Sequence, residues 1–176
     1  ALKIHRTSVQ GRAPRRARSG SVSFSDVTAA SAAMSRVVEL GRRAAQSTIP
    51  VMLEGEAGVG KELIARAIHA ASDRSSRPFV GLNCNAISPA QIEEVLFGSE
   101  NLIGKLSEAE GGTLFIEEIS ELPPGGQMRL LELVQSGEVH GGGQQRVLKA
   151  NVRLILATNK DLIEEVKAGR FREDLY

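Results

Sequence analysis

Apolar positions in this chain switch repeatedly between a helical period and short unbroken runs. Over residues 31–46, Met34, Val37, Val38 and Ala45 recur on one helical side, and Ser31 stands where an N-cap belongs. Residues 49–54 form a short apolar run, the pattern of a buried strand. Residues 61–71 return to helical spacing through Leu63, Ile64, Ala67 and Ile68. A second strand is expected at 79–82, then a short helix over Pro89–Phe97 with Ser88 as its cap. A third strand, apolar on both faces, is expected at 112–117. After the turn Pro123-Pro124-Gly125-Gly126, a helix over 127–136 would turn Leu130, Leu131 and Val134 inward. A fourth strand at 152–157 and a helix at 162–168 complete the pattern. Near-continuous apolar strands separated by helices predict an α/β fold, a parallel sheet flanked by helices on both faces.

The first 25 residues break this pattern. Gly, Pro, Ser and Arg dominate, no period is sustained, and a linker is expected there. Residues 1–20 carry six basic side chains and no acid, whereas the other 156 residues carry 16 basic against 21 acidic groups. The basic stretch reads either as a solvated connector or as a tail that touches nucleic acid. The acidic body argues against a protein that coats nucleic acid, and zero Trp with one Tyr leaves little for base stacking. A single cysteine excludes an internal disulfide framework and a multi-cysteine zinc site. No apolar run reaches the ~18 residues of a membrane span, and the start lacks a secretory apolar region, so a cytoplasmic domain is expected.

The strongest local signal is Gly55-Glu56-Ala57-Gly58-Val59-Gly60-Lys61-Glu62, between an expected strand and an expected helix. This is P-loop spacing. Glycines let backbone N–H groups approach phosphate oxygens, the helix start adds partial positive charge, and Lys61 neutralises the terminal phosphates. Alone, the segment could also be a tight strand-to-helix turn. Downstream, Gly112-Thr113-Leu114-Phe115-Ile116-Glu117-Glu118 ends an apolar strand on two carboxylates. Beside a P-loop strand, Glu117 would hold Mg²⁺ through water and Glu118 would orient or deprotonate the attacking water. Asn83, Asn85, Thr158 and Asn159 lie at two further strand ends, where capping is the alternative to ligand contact. Cys84 has no suitably placed base and reads as a packed residue, and His5, His69 and His140 are too scattered for a metal site.

Six ordered blocks, GEAGVGKELIARAIHAAS, PFVGLNCNAI, LFGSE, EAEGGTLFIEEISELP, NVRLILATNKDL and GRFREDLY, resemble the AAA+ ATPase domain of NtrC-type enhancer-binding regulators. These regulators act on sigma-54 RNA polymerase. The resemblance covers residues 26–176 and implies a P-loop AAA+ core binding ATP and Mg²⁺. It also implies a response-regulator type of protein, in which the basic stretch 1–25 fits, by its position, the connector that follows a phosphoryl-accepting receiver domain. In that family Glu62 after the P-loop lysine is usual. The resemblance makes Glu118 the catalytic glutamate and Asn83 the switch asparagine bonded to it. It makes Thr158 and Asn159 the sensor I segment, and Arg172 a finger acting in trans, which implies a ring, usually a hexamer. Enhancer DNA would be bound by C-terminal helices beyond Tyr176, where the family also has its lid and a fifth strand. Without that fifth strand, one edge of the P-loop strand is expected to stand uncovered.

Three positions depart from the family pattern. Glu117 replaces the usual Asp, and Val27-Thr28 replaces an adenine-side Ile-Gly. The Gly-Ala-Phe-Thr-Gly-Ala loop that contacts sigma-54 is absent between Phe97-Gly98 and Gly104-Lys105. Either the protein lacks the loop, or a segment is missing near Asn101-Leu102. Two other readings follow: a nucleotide-binding regulator that does not activate sigma-54, and a P-loop kinase, for which no acceptor-pocket residues are found.

Overall fold

A computed structural model of the protein describes residues 2–5, 22–27, 32–140 and 147–176. The order of elements is β1 (Leu2–His5), a 3-10 turn (Phe24–Asp26), α1 (Ala32–Ala45), β2 (Val51–Glu54), α2 (Lys61–Ala70), β3 (Phe79–Asn83), α3 (Pro89–Phe97), α4 (Lys105–Glu108), β4 (Thr113–Glu117), α5 (Pro124–Ser136), β5 (Glu138–His140), β6 (Val147–Lys149), β7 (Arg153–Thr158) and α6 (Leu162–Lys167). Five strands form one sheet in the order β1-β2-β7-β4-β3, and every pair is parallel. β5 and β6 make a separate antiparallel pair.

Strand side chains alternate between two cores. Met52, Leu114, Ile116, Leu154 and Leu156 face the layer of α3, α5 and α6. Val51, Leu53, Phe115, Ile155 and Ala157 face α1 and α2. Each fully buried Leu or Ile contributes on the order of 2 kcal/mol, so both faces hold the sheet between helices. This is the architecture of the P-loop AAA+ core expected from the sequence.

Four expectations need correction. Leu2–His5 is not linker but an edge strand, paired in register with Val51–Glu54. The P-loop strand β2 is therefore covered on both sides, by β1 and β7, and its edge is not open. The linker residues 6–21, the Ser31 cap, Thr28 and the Gly141-Gly142-Gly143 loop lie outside the described residues.

The helix α5 begins at Pro124 rather than Gln127. Pro124 occupies the first helical position, where its missing N–H costs nothing. Glycine is needed next: a Cβ on Gly126 would meet Leu122 Cδ1 at 2.8 Å, and one on Gly125 would meet Glu93 Oε1 at 2.7 Å. The buried stripe then runs Gln127, Leu130, Leu133, which leaves Val134 44% exposed instead of inward.

Between α3 and α4 the chain closes tightly. The Ser99 N–H donates to the Leu102 carbonyl at 2.9 Å. Gly104 packs on Gly98 and Phe97 so closely that a Cβ there would fall on their backbone atoms. Ile103, at the tip, is 73% exposed.

Candidate functional site

Parallel strands deliver their C-terminal ends to one edge, and register fixes what meets there. Glu54 pairs with Thr158, Ala157 with Glu117, and Glu117 with Asn83. The P-loop leaves β2 at this edge, with the Gly55 N–H donating to the Thr158 carbonyl at 3.1 Å. Gly58 (φ 76°) and Gly60 (φ 91°) take left-handed conformations that a side chain would resist. Glu56, Ala57 and Gly58 are exposed, while Gly55, Val59 and Gly60 are half-buried.

Lys61 opens α2 and is buried. Its ammonium donates to the Gly55 carbonyl at 2.7 Å and the Glu56 carbonyl at 3.0 Å, and lies 3.8 Å from Glu118 Oε1. Glu62 points elsewhere, pairing with Arg66 one turn on at 2.8 Å. The P-loop lysine and the second carboxylate are thus neighbours, although β4 does not lie beside β2 as expected: β7 runs between them.

Glu118 follows β4 with φ 56° and ψ 54°, the one non-glycine with positive φ among the described residues. Such a backbone costs an L-residue about 1–2 kcal/mol. It is held there because its carboxylate accepts the Asn159 N–H at 3.0 Å and its carbonyl accepts the Glu121 N–H at 2.9 Å. Thr158 reaches the same region, its hydroxyl 3.3 Å from Ser120 Oγ.

Asn83 does not bond Glu118. Its Nδ2 donates to Glu117 Oε2 at 3.0 Å, and its Oδ1 accepts the Asn85 N–H. Register explains the difference: Asn83 and Glu117 are directly opposed on β3 and β4, so their side chains share a face. Burial pushes the Glu117 carboxyl above its ordinary range. The charges of Glu118 and Glu62 add to this, and Lys61 and the Asn83 bond oppose it.

Arg172 stands apart from this group. Its guanidinium is 42% exposed and binds Asp174 through two bonds of 2.8 and 2.6 Å. Sequence reasoning missed the residue that anchors its backbone. Gln127, 1% exposed, accepts the Arg172 N–H at 2.9 Å. A glutamine just after two glycines carries no apolar signal, and only its spacing to Leu130 and Leu133 could have marked it as inward.

Cys84 is buried, and burial with the nearby Glu121 and Glu118 charges pushes its thiol up to about 12, so it is a packed, inert residue. His69 bonds Thr113 Oγ1 at 2.9 Å within the core. Among the described residues no three His, Cys, Asp or Glu side chains converge on an ion, and no helix is long and apolar enough to cross a membrane.

Comparison with known proteins gives a consistent picture. A family model described as the Sigma-54 interaction domain matches residues 27–176. The hydrogenase transcriptional regulatory protein HoxA of Bradyrhizobium diazoefficiens is 48% identical over 152 residues, covering 81% of this chain and 31% of that protein. NtrX of Brucella abortus, crystallised in complex with ATP, superposes with a TM-score of 0.80 at 38% identity, over 82% of this chain and 33% of that one. The P-loop NTPase domain of a sigma-54 activator from E. coli shares the fold, with a TM-score of 0.56 at 21% identity, over 78% and 96% of the two chains. The chain spans about a third of the length of the first curated relatives it matches.

Proposed function

This chain belongs to the sigma-54 interaction domain family of bacterial transcriptional regulators, and from that premise we propose that it binds Mg-ATP and hydrolyses it to ADP and phosphate between the subunits of a ring, the output being remodelling of sigma-54 RNA polymerase at promoters. Residues 26–176 are the ATPase core in this reading. The observation that carries it is the meeting of Lys61 and Glu118, 3.8 Å apart, at the strand ends beside a P-loop.

Phosphates bind against the backbone N–H groups of Gly58, Val59 and Gly60 and the start of α2. Lys61 then gives up the Gly55 and Glu56 carbonyls for phosphate oxygens. Glu118, fixed by the Asn159 N–H, orients the attacking water and takes its proton. Asn83 holds the Glu117 carboxylate, and Thr158 holds Ser120 in the turn that follows Glu118. Arg172 of the partner subunit supplies positive charge to the leaving phosphate.

Glu117 suits a divalent cation, because burial and two neighbouring carboxylates make its own ionisation costly and a cation relieves that cost. Protein ligands there are few among the described residues, so Glu117 would hold the ion with most of its shell supplied by phosphate oxygens and water. When bound, Mg²⁺ supplies charge neutralisation at the β- and γ-phosphates.

The test is ATP turnover with no added acceptor, alongside nucleotide binding by Lys61→Ala. Phosphate release that disappears in Glu118→Gln, with ATP affinity falling in Lys61→Ala, supports the reading. Unchanged affinity in Lys61→Ala sinks it.

One observation favours a second reading. The closed turn at Ser99–Leu102 and the packing of Gly104 on Gly98 leave no contact loop between α3 and α4. A protein built this way would bind nucleotide and regulate without engaging sigma-54. Binding of purified sigma-54 in the presence of ADP and a metal-fluoride transition-state mimic separates the two: a stable complex supports the activator, and none with ATP binding intact supports the regulator.

A further inference from the structure

We propose that Gln127 is a positioning residue for the trans arginine, coupling the segment that follows Glu118 to the backbone that carries Arg172. The inference rests on the ATPase reading above and adds a residue to it.

Gln127 is buried at 1% exposure in the first turn of α5, and all of its side-chain hydrogen-bonding is directed at main chain. Its Nε2 donates to the Leu122 carbonyl at 2.8 Å and to the Arg170 carbonyl at 2.9 Å. Its Oε1 accepts the Arg172 N–H at 2.9 Å. Both amide protons and one lone pair are thereby used. Leu122 closes the 3-10 turn that begins right after Glu118. Arg170 and Arg172 lie 43 and 45 residues further along the chain.

The side-chain amide therefore faces residues 170–172 much as a neighbouring strand's peptide would. It gives to one carbonyl and takes from the N–H two residues on. Neighbouring contacts hold the rest of this segment still. Phe171 is buried in the core, and the Arg170 guanidinium binds Glu165 at 2.7 and 2.8 Å. The Arg170 and Arg172 side chains are both exposed, but Arg170 is held by Glu165 on α6, whereas Arg172 rests on Asp174 two residues on. The anchor is thus rigid and the guanidinium exchangeable, which suits a group that must leave a local partner and reach a neighbour's phosphate at a fixed position. The other end of the anchor is one 3-10 turn from Glu118, so a shift of that turn is carried to the backbone of Arg172.

The experiment uses Gln127→Ala and Gln127→Met in the purified protein. Methionine fills the glutamine volume without its hydrogen bonds, so it tests geometry in a variant that keeps the core packed. Both variants should lose about 10–100-fold in kcat, while KM for ATP stays within about two-fold. A displaced arginine harms only the neighbour's site. Mixing Gln127→Met with Lys61→Ala, which has a dead site but a sound arginine, should therefore restore turnover at about a quarter of the interfaces.

Three results overturn the proposal: unchanged kcat, a rise in KM in place of a fall in kcat, or no recovery in this mixture when the control mixture of Arg172→Ala with Lys61→Ala does recover. Failure of that control strikes the trans-arginine reading itself, and the Gln127 proposal falls with it.

Discussion

Replacing Arg153 by Met sets two large effects against each other, and the structure says which wins. Arg153 lies in β7, at the centre of the sheet, and is the largest fully buried side chain among the described residues. Its guanidinium donates to the carbonyls of Ala44 and Ala45, the last residues of α1. A helix end leaves such carbonyls without intrahelical partners, and a cation there also complements the helix dipole. Against this, burial is costly for the charge. It holds the Arg153 pKa below its ordinary value, with Asp73 opposing and Arg74 adding to the effect, and Nε has no hydrogen-bond partner.

Methionine removes the charge and keeps most of the volume. If desolvation dominated, the variant would match or exceed the parent, as happens when some buried ion pairs are replaced by apolar residues. Here the groups left behind are backbone. The Ala44 carbonyl keeps the Ser47 N–H at 3.0 Å, but the Ala45 carbonyl loses its cap. One buried carbonyl left unpaired costs about 1–3 kcal/mol, and the lost charge-assisted bond to Ala44 about 1 more. Relief of the guanidinium's desolvation returns part of this, leaving a net loss of roughly 2 kcal/mol. For a chain of this size that is about 4–8 °C in Tm, or about 1 M in the urea midpoint. Urea unfolding followed by circular dichroism measures it. A variant as stable as the parent refutes the cap argument and shows that the buried charge is a net burden.

Three further outcomes are expected. Because its pKa is raised on folding, Glu117 contributes most to stability below the ordinary 4.5 and loses that contribution as pH rises through the folded value. Glu117→Gln should therefore be more stable than the parent at neutral pH without nucleotide, by under about 1 kcal/mol after solvent screening, and the gain should vanish in acid, as thermal melts at several pH values would reveal. Cys84, with a thiol pushed up to about 12 and buried, should resist alkylation in the native protein and react once urea unfolds it; rapid native labelling by mass spectrometry contradicts this. Gly104→Ala should destabilise by about 2–3 kcal/mol, since its Cβ would fall on the backbone of Gly98 and Phe97; a neutral effect in urea would mean that the turn between α3 and α4 is open.

Much of this architecture was legible because buried parallel strands announce themselves as apolar runs. β2, β3, β4 and β7 were each located within about two residues, the usual uncertainty of an element's end. β1 was hidden for a physical reason. Four residues are too few to show a period, and what makes them a strand is the β2 edge they cover, far away in sequence. The same holds for β5 and β6, three residues each, whose partner is one another. The P-loop, Lys61 and the two carboxylates could be read from spacing, because their chemistry needs particular residue types in local order. Hydrogen-bond wiring could not, because it depends on register between strands and on helix phase. Asn83 pairs with Glu117 for the first reason, and Gln127 turns inward for the second.

The adjacent carboxylates owe their different surroundings to one backbone dihedral. Glu117 is the last residue of β4 and keeps the strand's alternation, so it lies in the row of Asn83 and Ala157 and takes Asn83 as partner. Had the strand continued, Glu118 would have pointed to the opposite face, toward the core of Leu114 and Ile116. The left-handed turn at φ 56° prevents this and swings its carboxylate to the Asn159 N–H and within 3.8 Å of Lys61. A glycine would take that turn without strain but would carry no carboxylate. The strain of about 1–2 kcal/mol at Glu118 is thus the cost of placing a charged group where β4, β7 and the P-loop converge. It is tolerated because buried β4 on one side and the 3-10 turn with buried Ile119 and Ser120 on the other fix both ends.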